Sequence, residues 1–129
     1  MTEAQLFAYM KEAILPDLIQ SPFQYSQWDC VSPSVNAYFE LKCRRTHYEH
    51  LILEQKKYDA MILTGLNLNL SPWYVCSTPE GIYFFDLLHL DPLWEEMSLP
   101  KTTDFEQTQV VNKAVTLLHT KEAFSIPLP

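Results

Sequence analysis

Residues 29–45 read DCVSPSVNAYFELKCRR, and within them two β-prone runs are separated by a turn that contains Pro33. From residue 35 to residue 44, apolar and polar side chains alternate, which is typical of a strand with one buried face and one polar face. The preceding run, residues 23–31, also predicts a strand, and a turn between two such runs indicates a β-hairpin. This hairpin is the starting point for the predicted fold.

A four-residue loop at positions 33–36 sets the register of the predicted hairpin. With that loop, antiparallel pairing places Asp29 opposite Glu40, with the two Cβ atoms about 4.5–5.5 Å apart. Because side chains alternate along a strand, Glu40 and Lys42 share one face while Leu41 lies on the other. The sequence therefore predicts two carboxylates and a lysine in one small polar area.

These residue types suit a divalent metal site. Asp29, Glu40 and the backbone carbonyl of Leu41 can supply oxygen ligands to Mg²⁺ or Mn²⁺. A bound ion lowers the pKa of a water, and Lys42 can orient that water or stabilise charge in the transition state. The chemistry indicated is hydrolysis of a phosphodiester. From spacing alone, the alternative is an ordinary strand with one solvated face.

The other segments predict two helices and a second hairpin. Residues 2–20 predict a helix that Thr2 can cap, and residues 47–63 predict a second helix on which Gln55 lies in the middle of an apolar stripe. Residues 65–71 predict a loop, and the runs PWYVCST and IYFFDLL predict two strands joined by a turn at 79–81. Residues 92–109 are mixed, and residues 110–118 predict either a strand or a short helix.

The size and composition of the chain favour one domain spanning residues 1–129, because 47% of its residues are hydrophobic. No apolar run approaches the roughly 18 residues of a membrane span, and no basic region precedes an apolar run at the N-terminus. We therefore expect an intracellular, cytoplasmic protein. Cys30, Cys43 and Cys76 lie in apolar contexts without the spacing of a zinc site and predict buried free thiols.

The net charge of −7 argues against broad, nonspecific binding of nucleic acid. The basic residues are unevenly distributed, however, because five of the nine fall within sixteen positions: Lys42, Arg44, Arg45, Lys56 and Lys57. We name these five residues the basic strip. An acidic protein can bind a polyanion through such a strip, and the alternative is a solvated charged face.

The pattern of Asp29, ten residues, Glu40-Leu41-Lys42 and a following helix with a polar inner residue resembles the PD-(D/E)XK nuclease superfamily. The resemblance implies an α/β (α+β) fold of the restriction-endonuclease-like type, with a central mixed β-sheet flanked by helices. It also implies a Mg²⁺- or Mn²⁺-dependent deoxyribonuclease, more often an endonuclease than an exonuclease. Small members of the superfamily include junction resolvases, phage nucleases and restriction-like enzymes, which commonly act as homodimers.

The resemblance also assigns roles to individual residues. Asp29 and Glu40 become metal ligands, and Lys42 becomes the catalytic lysine. In several families of the group, a Gln or Lys on the following helix reaches the site; Gln55 is the first candidate here and Lys57 the second. Many members also carry a glutamate on the first helix, for which Glu3 and Glu12 are both candidates. The strand that usually precedes the aspartate strand is either absent from this sequence or merged with it.

Two further sets of residues have structural and functional interpretations. The aromatic residues of the second hairpin are better explained by core packing than by base stacking, whereas Tyr25 and Tyr38 are expected to be exposed near the site. His47 and His50 are better explained by phosphate contact or exposure than by zinc binding, and no partner is evident for His119.

A noncatalytic nucleic-acid-binding or accessory module that keeps the fold is the main alternative to a nuclease. The acidic net charge and the small basic strip favour this alternative. A viral structural or regulatory protein without nucleic-acid contact is a third interpretation. Since the sequence contains all three members of the Asp29, Glu40 and Lys42 set, we predict the nuclease.

Overall fold

The computed structural model describes residues 1–20, 29–101 and 109–129, and the protein has two helices and nine strands in these segments. The helices are α1 (Glu3–Ala13) and α2 (Gln55–Leu68). The strands are β1 (Ile19–Gln20), β2 (Asp29–Ser32), β3 (Ala37–Cys43), β4 (His50–Glu54), β5 (Ser71–Thr78), β6 (Gly81–Asp86), β7 (Glu95–Pro100), β8 (Val110–His119) and β9 (Phe124–Ile126).

The strands form two sheets. A six-stranded sheet has the order β1-β2-β3-β5-β6-β9, and a three-stranded sheet has the order β4-β8-β7. The larger sheet is mixed, since β3 and β5 are parallel while β2 and β3 are antiparallel. The chain leaves β3, forms β4 and α2, and returns to β5 beside β3. The fold is therefore the predicted α/β type with a central mixed sheet flanked by helices.

The first hairpin has the predicted register, with Asp29 opposite Glu40 and Ser32 opposite Ala37. Pro33–Val35 forms a short 3-10 turn, and Asn36 closes the loop in the left-handed region at φ 57°. Asparagine tolerates this conformation better than most residues. Residues 23–28 of the first predicted strand lie outside the described residues.

The carboxylate of Asp17 holds the hairpin turn from outside. Ser32 Oγ donates a hydrogen bond to Asp17 Oδ1 at 2.6 Å, and the backbone N–H of Ser34 donates to Oδ2 at 2.7 Å. The bond from Ser32, and then that from Ser34, lowers the pKa of Asp17. A short strand, β1, precedes the aspartate strand β2 and pairs antiparallel with it, whereas the sequence predicts that such a strand is absent or merged.

Helix α1 is shorter than the predicted helix at 2–20, because it ends at Ala13, before Pro16. The side chain of Thr2 accepts a hydrogen bond from the Gln5 backbone, and the Gln5 side chain accepts one from Thr2. This reciprocal pair caps the first turn. Leu6 and Met10 are fully buried one turn apart, so α1 docks on the larger sheet through one side.

The predicted helix at 47–63 is wrong in its first half. Residues 50–54 form β4, which pairs antiparallel with β8, so that Leu51 faces Leu118 and Leu53 faces Thr116. HLILE alternates between more and less buried positions, as a strand does, and the same five residues also fit a helical stripe. The distant partner strand β8 decides between the two periods.

Helix α2 continues into the segment predicted as a loop. It passes through Gly65 and ends at Leu68, where Asn69 forms the C-cap with φ 57°. A Cβ atom at position 65 would lie 2.7 Å from the carbonyl oxygen of Leu70 and 3.0 Å from the Pro72 ring. The glycine therefore permits close packing of the helix end against the start of β5.

The second hairpin is confirmed as β5 and β6, which pair antiparallel from Trp73 with Asp86 to Thr78 with Gly81. In the mixed segment at 92–109, β7 spans Glu95–Pro100, and residues 102–108 lie outside the described residues. Residues 110–118 form a strand, within β8, and not a helix.

Two hydrophobic cores lie on opposite faces of the six-stranded sheet. One joins α1 to Phe39 and Leu41 of β3. The other joins α2, β4 and β8 to the opposite face and includes Tyr74 and Phe85, as predicted for the aromatic residues of the second hairpin. Neither described helix is long and apolar enough to cross a membrane.

Candidate active site

Asp29 and Glu40 lie next to each other on paired strands and line one cavity beneath α2. The cavity has a volume of about 360 Å³, and Tyr38, Lys57 and helical residues of α2 complete its wall. We name it the carboxylate cavity. Asp29 is 2% exposed and Glu40 is 6% exposed. The structure therefore brings together the two acidic residues that the hairpin register predicts, and it buries both.

Each carboxylate has a specific partner. The Tyr38 hydroxyl donates a hydrogen bond to Asp29 Oδ2 at 3.1 Å. Lys57 Nζ lies 2.9 Å from Glu40 Oε1. Burial, followed by the charge of Asp29, raises the pKa of Tyr38, so the phenol remains a hydrogen-bond donor. The prediction that Tyr38 is exposed is wrong, because only 3% of it is accessible.

Lys57, and not Gln55, reaches Glu40 from the helix. The sequence placed Gln55 in the middle of a longer helix with its amide directed inward, but Gln55 is the first residue of α2 and does not line the carboxylate cavity. Lys57 lies two residues later and extends to the sheet. The early part of the predicted helix is a strand, so α2 begins at Gln55, and Lys57 in its first turn reaches Glu40.

The carboxylate cavity fits a divalent cation. Glu40 Oε2 is buried and has no hydrogen-bond partner within the described residues. Burying a carboxylate without full compensation is costly, and the cavity brings one lysine to two carboxylates. Carboxylate oxygens are the ligands that Mg²⁺ and Mn²⁺ prefer. Asp29 and Glu40 would hold such an ion, and the Leu41 carbonyl follows Glu40 directly in the chain.

Lys42 does not line the carboxylate cavity. Lys42 instead lines two other cavities. One has a volume of about 360 Å³ and shares Lys57 with the carboxylate cavity. The other has a volume of about 730 Å³ and includes Glu3. Lys42 follows Glu40 by two residues in β3, as the alternation predicts. The lysine is therefore a neighbour of the buried acids, positioned further along the strand.

The structure distinguishes the two glutamates of the first helix. Glu3 Oε1 accepts a hydrogen bond of 3.4 Å from the backbone N–H of Cys43 and shares the larger cavity with Lys42. Glu12 is exposed near the end of α1. Glu3 is thus the first-helix carboxylate that lies close to the C-terminal end of β3.

The basic strip is divided among three environments. Arg44 is half-buried and donates from Nη2 to the Ile52 carbonyl at 2.9 Å and to the Tyr74 hydroxyl at 3.2 Å. Lys57 is held by Glu40, whereas Arg45 and Lys56 are exposed. Proximity in sequence therefore does not make these residues one uniform surface.

A second group of potential metal ligands lies on the smaller sheet. His50 and His119 face each other across β4 and β8 with ring centroids 4.4 Å apart, and Glu49 offers a ligand atom within 4.8 Å of both. His47 lies elsewhere, 2.8 Å from Thr78 Oγ1. No local pattern points to His119, because its partner is about seventy positions away. Imidazole ligands suit zinc better than magnesium.

The three cysteines are free thiols, and Cys30 and Cys76 are buried as predicted, whereas Cys43 is half-buried. Burial, with a smaller contribution from the Asp29 charge, raises the pKa of Cys30 to about 12. Burial also raises the pKa of Cys76 to about 11. These two thiols remain protonated near neutral pH and are poor nucleophiles or metal ligands.

Comparisons with known proteins identify a structural neighbour. No protein-family model matches the chain, and no curated protein sequence matches it significantly. The fold is similar to that of Hjc from Archaeoglobus fulgidus, a Holliday junction resolvase from an archaeal hyperthermophile, with a TM-score of 0.50 and 13% sequence identity. The similarity covers 88% of this chain and 84% of that chain. It shows a shared restriction-endonuclease-like fold.

Proposed function

We propose that the protein is a divalent-metal-dependent deoxyribonuclease that hydrolyses phosphodiester bonds. The observation that carries the proposal is the pair Asp29 and Glu40, buried opposite each other in a cavity where Glu40 Oε2 has no hydrogen-bond partner within the described residues. A cavity with excess buried carboxylate charge is suited to a cation. The shared fold with a Holliday junction resolvase supports nucleic acid as the substrate class.

The chain's residues divide the work as follows. Asp29, Glu40 and the Leu41 carbonyl would hold Mg²⁺ or Mn²⁺, and the bound ion would lower the pKa of a water and offset phosphate charge. Tyr38 fixes the orientation of Asp29 through its hydrogen bond. Lys57 takes the role first predicted for Gln55. Its ion pair compensates the negative charge of Glu40 while no cation is bound.

Lys42 acts on the substrate and not on the carboxylates. Its place in the adjacent cavity suits contact with the scissile phosphate or with the attacking water. Arg44, Arg45 and Lys56 contact flanking phosphates of DNA, and Lys57 does so when it leaves Glu40. The protein acts as an endonuclease, and a homodimer would present two sites to the two strands of a duplex or branched DNA.

A cleavage assay tests the proposal. Single-stranded, duplex and four-way branched DNA are incubated with the protein and Mg²⁺, Mn²⁺ or EDTA. We expect cleavage of at least one substrate with either ion and none with EDTA. Lys42→Ala and Glu40→Gln should each lower the rate more than about 100-fold, since even outer-shell changes at metal sites cost 10–100-fold. Lys121→Ala, on an exposed turn, is the matched control and should keep the wild-type rate.

The second candidate is a noncatalytic DNA-binding module. The ion pair of Lys57 with Glu40, together with the absence of Lys42 from the carboxylate cavity, favours it. A noncatalytic module would bind DNA without cleaving it under every ion condition, and it would bind equally well with Ca²⁺ or EDTA. The nuclease predicts stronger binding with Ca²⁺, because the ion cancels the carboxylate charges that repel phosphate. Arg44→Ala with Arg45→Ala should weaken binding in either case.

A further inference from the structure

A positively charged cavity lies between the two sheets, next to the carboxylate cavity. Its volume is about 360 Å³, within the range of about 300–1,000 Å³ for small-molecule sites. Four cationic side chains line it, from β3, the residue that follows β3, α2 and β8: Lys42, Arg44, Lys57 and Lys113. We name it the intersheet cavity. A cluster of four cations is unexpected in a chain with a net charge of −7.

Only two of these four cations are neutralised by acidic partners. Lys57 pairs with Glu40, and Lys113 Nζ lies 2.9 Å from Glu54 Oε1. Lys42 forms no ion pair within the described part of the chain. Arg44 donates to a carbonyl and a hydroxyl, which leave its charge uncompensated. The intersheet cavity therefore holds two positive charges in excess.

Arg44 also has an unused donor. Its Nε is buried and has no hydrogen-bond partner within the described residues. Because Tyr74 and Ile52 hold one terminal nitrogen, the guanidinium is fixed before any ligand arrives. A tetrahedral oxyanion such as a phosphate would compensate the excess positive charge beside this fixed guanidinium.

We propose that the intersheet cavity binds a phosphate group of a nucleic-acid strand, and that the Glu54–Lys113 ion pair controls the strength of this binding. The proposal rests on the proposed function in taking nucleic acid as the source of the phosphate. Lys57 lines both cavities, so the bound phosphate lies next to the carboxylate cavity. When the phosphate binds, Lys113 leaves Glu54 and pairs with the phosphate. The smaller sheet then forms one wall of the surface that binds the nucleic-acid strand.

This arrangement makes opposite predictions for the two partners of one ion pair. Glu54→Gln removes a carboxylate that repels the phosphate and releases Lys113, so affinity should rise. Lys113→Gln removes a cation, so affinity should fall. Each change should be on the order of threefold to tenfold, as for partly exposed charges. The double variant should return close to the wild-type affinity.

The experiment measures binding of a fluorescent single-stranded oligonucleotide in EDTA, where no divalent ion contributes. Glu122→Gln and Lys121→Gln are matched controls, because they make the same charge changes on an exposed turn outside the cavity. Thermal unfolding establishes that each variant is folded. Inorganic phosphate is added as a competitor against chloride at equal ionic strength, which separates free phosphate from the nucleic-acid phosphate as the preferred ligand.

The outcomes distinguish this site from the nuclease proposal. Opposite shifts for Glu54→Gln and Lys113→Gln, larger than those of the matched controls, support the intersheet cavity even if no DNA is cleaved. Equal shifts in the cavity and control variants would overturn it, since they would show an effect of net charge alone. A loss of affinity in both Glu54→Gln and Lys113→Gln would also overturn it, by showing that the pair only supports the fold. Either result leaves metal-dependent cleavage unaffected.

Discussion

The two faces of the six-stranded sheet bury different chemistry. The face that meets α1 is closed by hydrocarbon, with Leu6 and Met10 packed on Phe39 and Leu41. The face that meets α2 buries two carboxylates, a tyrosine hydroxyl and part of a guanidinium beside its apolar residues. Both faces bury apolar residues, but adjacent residues of β3 differ in chemistry, and the candidate site lies on the face that meets α2.

The largest expected effect tests the apolar face. Phe39→Ala should lower the free energy of unfolding by about 3–5 kcal/mol, because it removes a buried aromatic ring and leaves a cavity. Phe39 is 4% exposed and contacts Trp73, with ring centroids 6.4 Å apart. Denaturant unfolding followed by tryptophan fluorescence measures the change. A loss below about 1 kcal/mol, the value of an ordinary hydrogen bond, would contradict the central role of this face.

An intermediate effect on the free energy of unfolding is expected at Lys57, which compensates the charge of the buried Glu40. Lys57→Met should lower stability by about 1–3 kcal/mol, because it leaves Glu40 buried without its cation. Ca²⁺ should restore more stability to this variant than it adds to the wild type, since the ion no longer competes with the lysine. Thermal unfolding with Ca²⁺ or EDTA measures both quantities. Lys56→Met, an exposed neighbour, is the control, and an equal calcium response in both variants would argue against a shared cation site.

The smallest effect on the free energy of unfolding is expected at Glu40, the neighbour of Phe39 in β3. Glu40→Gln should leave the free energy of unfolding unchanged or raise it by up to about 1 kcal/mol, because a neutral amide costs less to bury than a carboxylate. Stabilisation by Ca²⁺ should disappear in the same variant. Thermal unfolding across a calcium series provides the measurement. A destabilisation as large as that of Phe39→Ala would assign Glu40 a structural role and weaken the metal proposal.

Predictions were correct where the contacting residues are close in sequence, and wrong where the deciding partner is distant in sequence. The first hairpin depends on a four-residue loop and an alternating pattern, so local information is enough to place Asp29 opposite Glu40. The segment at residues 50–54 has a pattern that fits both a strand and a helix. Its pairing with β8, which lies more than fifty residues later, decides the outcome. The assignment of Gln55 depended on that segment and changed with it.

The sequence by itself determined the register of the first hairpin and the two acidic residues of the candidate site, because each depends on periodicity and turn chemistry over fewer than twenty residues. The class of fold followed from the resemblance that these residues carry. The tertiary structure decided which residues surround those acids. It selected Lys57 over Gln55, buried Tyr38 against Asp29 and brought Lys113 beside Lys42 from about seventy positions away. Contacts of this kind arise from the docking of α2 and the smaller sheet onto the larger one, and no local pattern encodes the geometry of that docking.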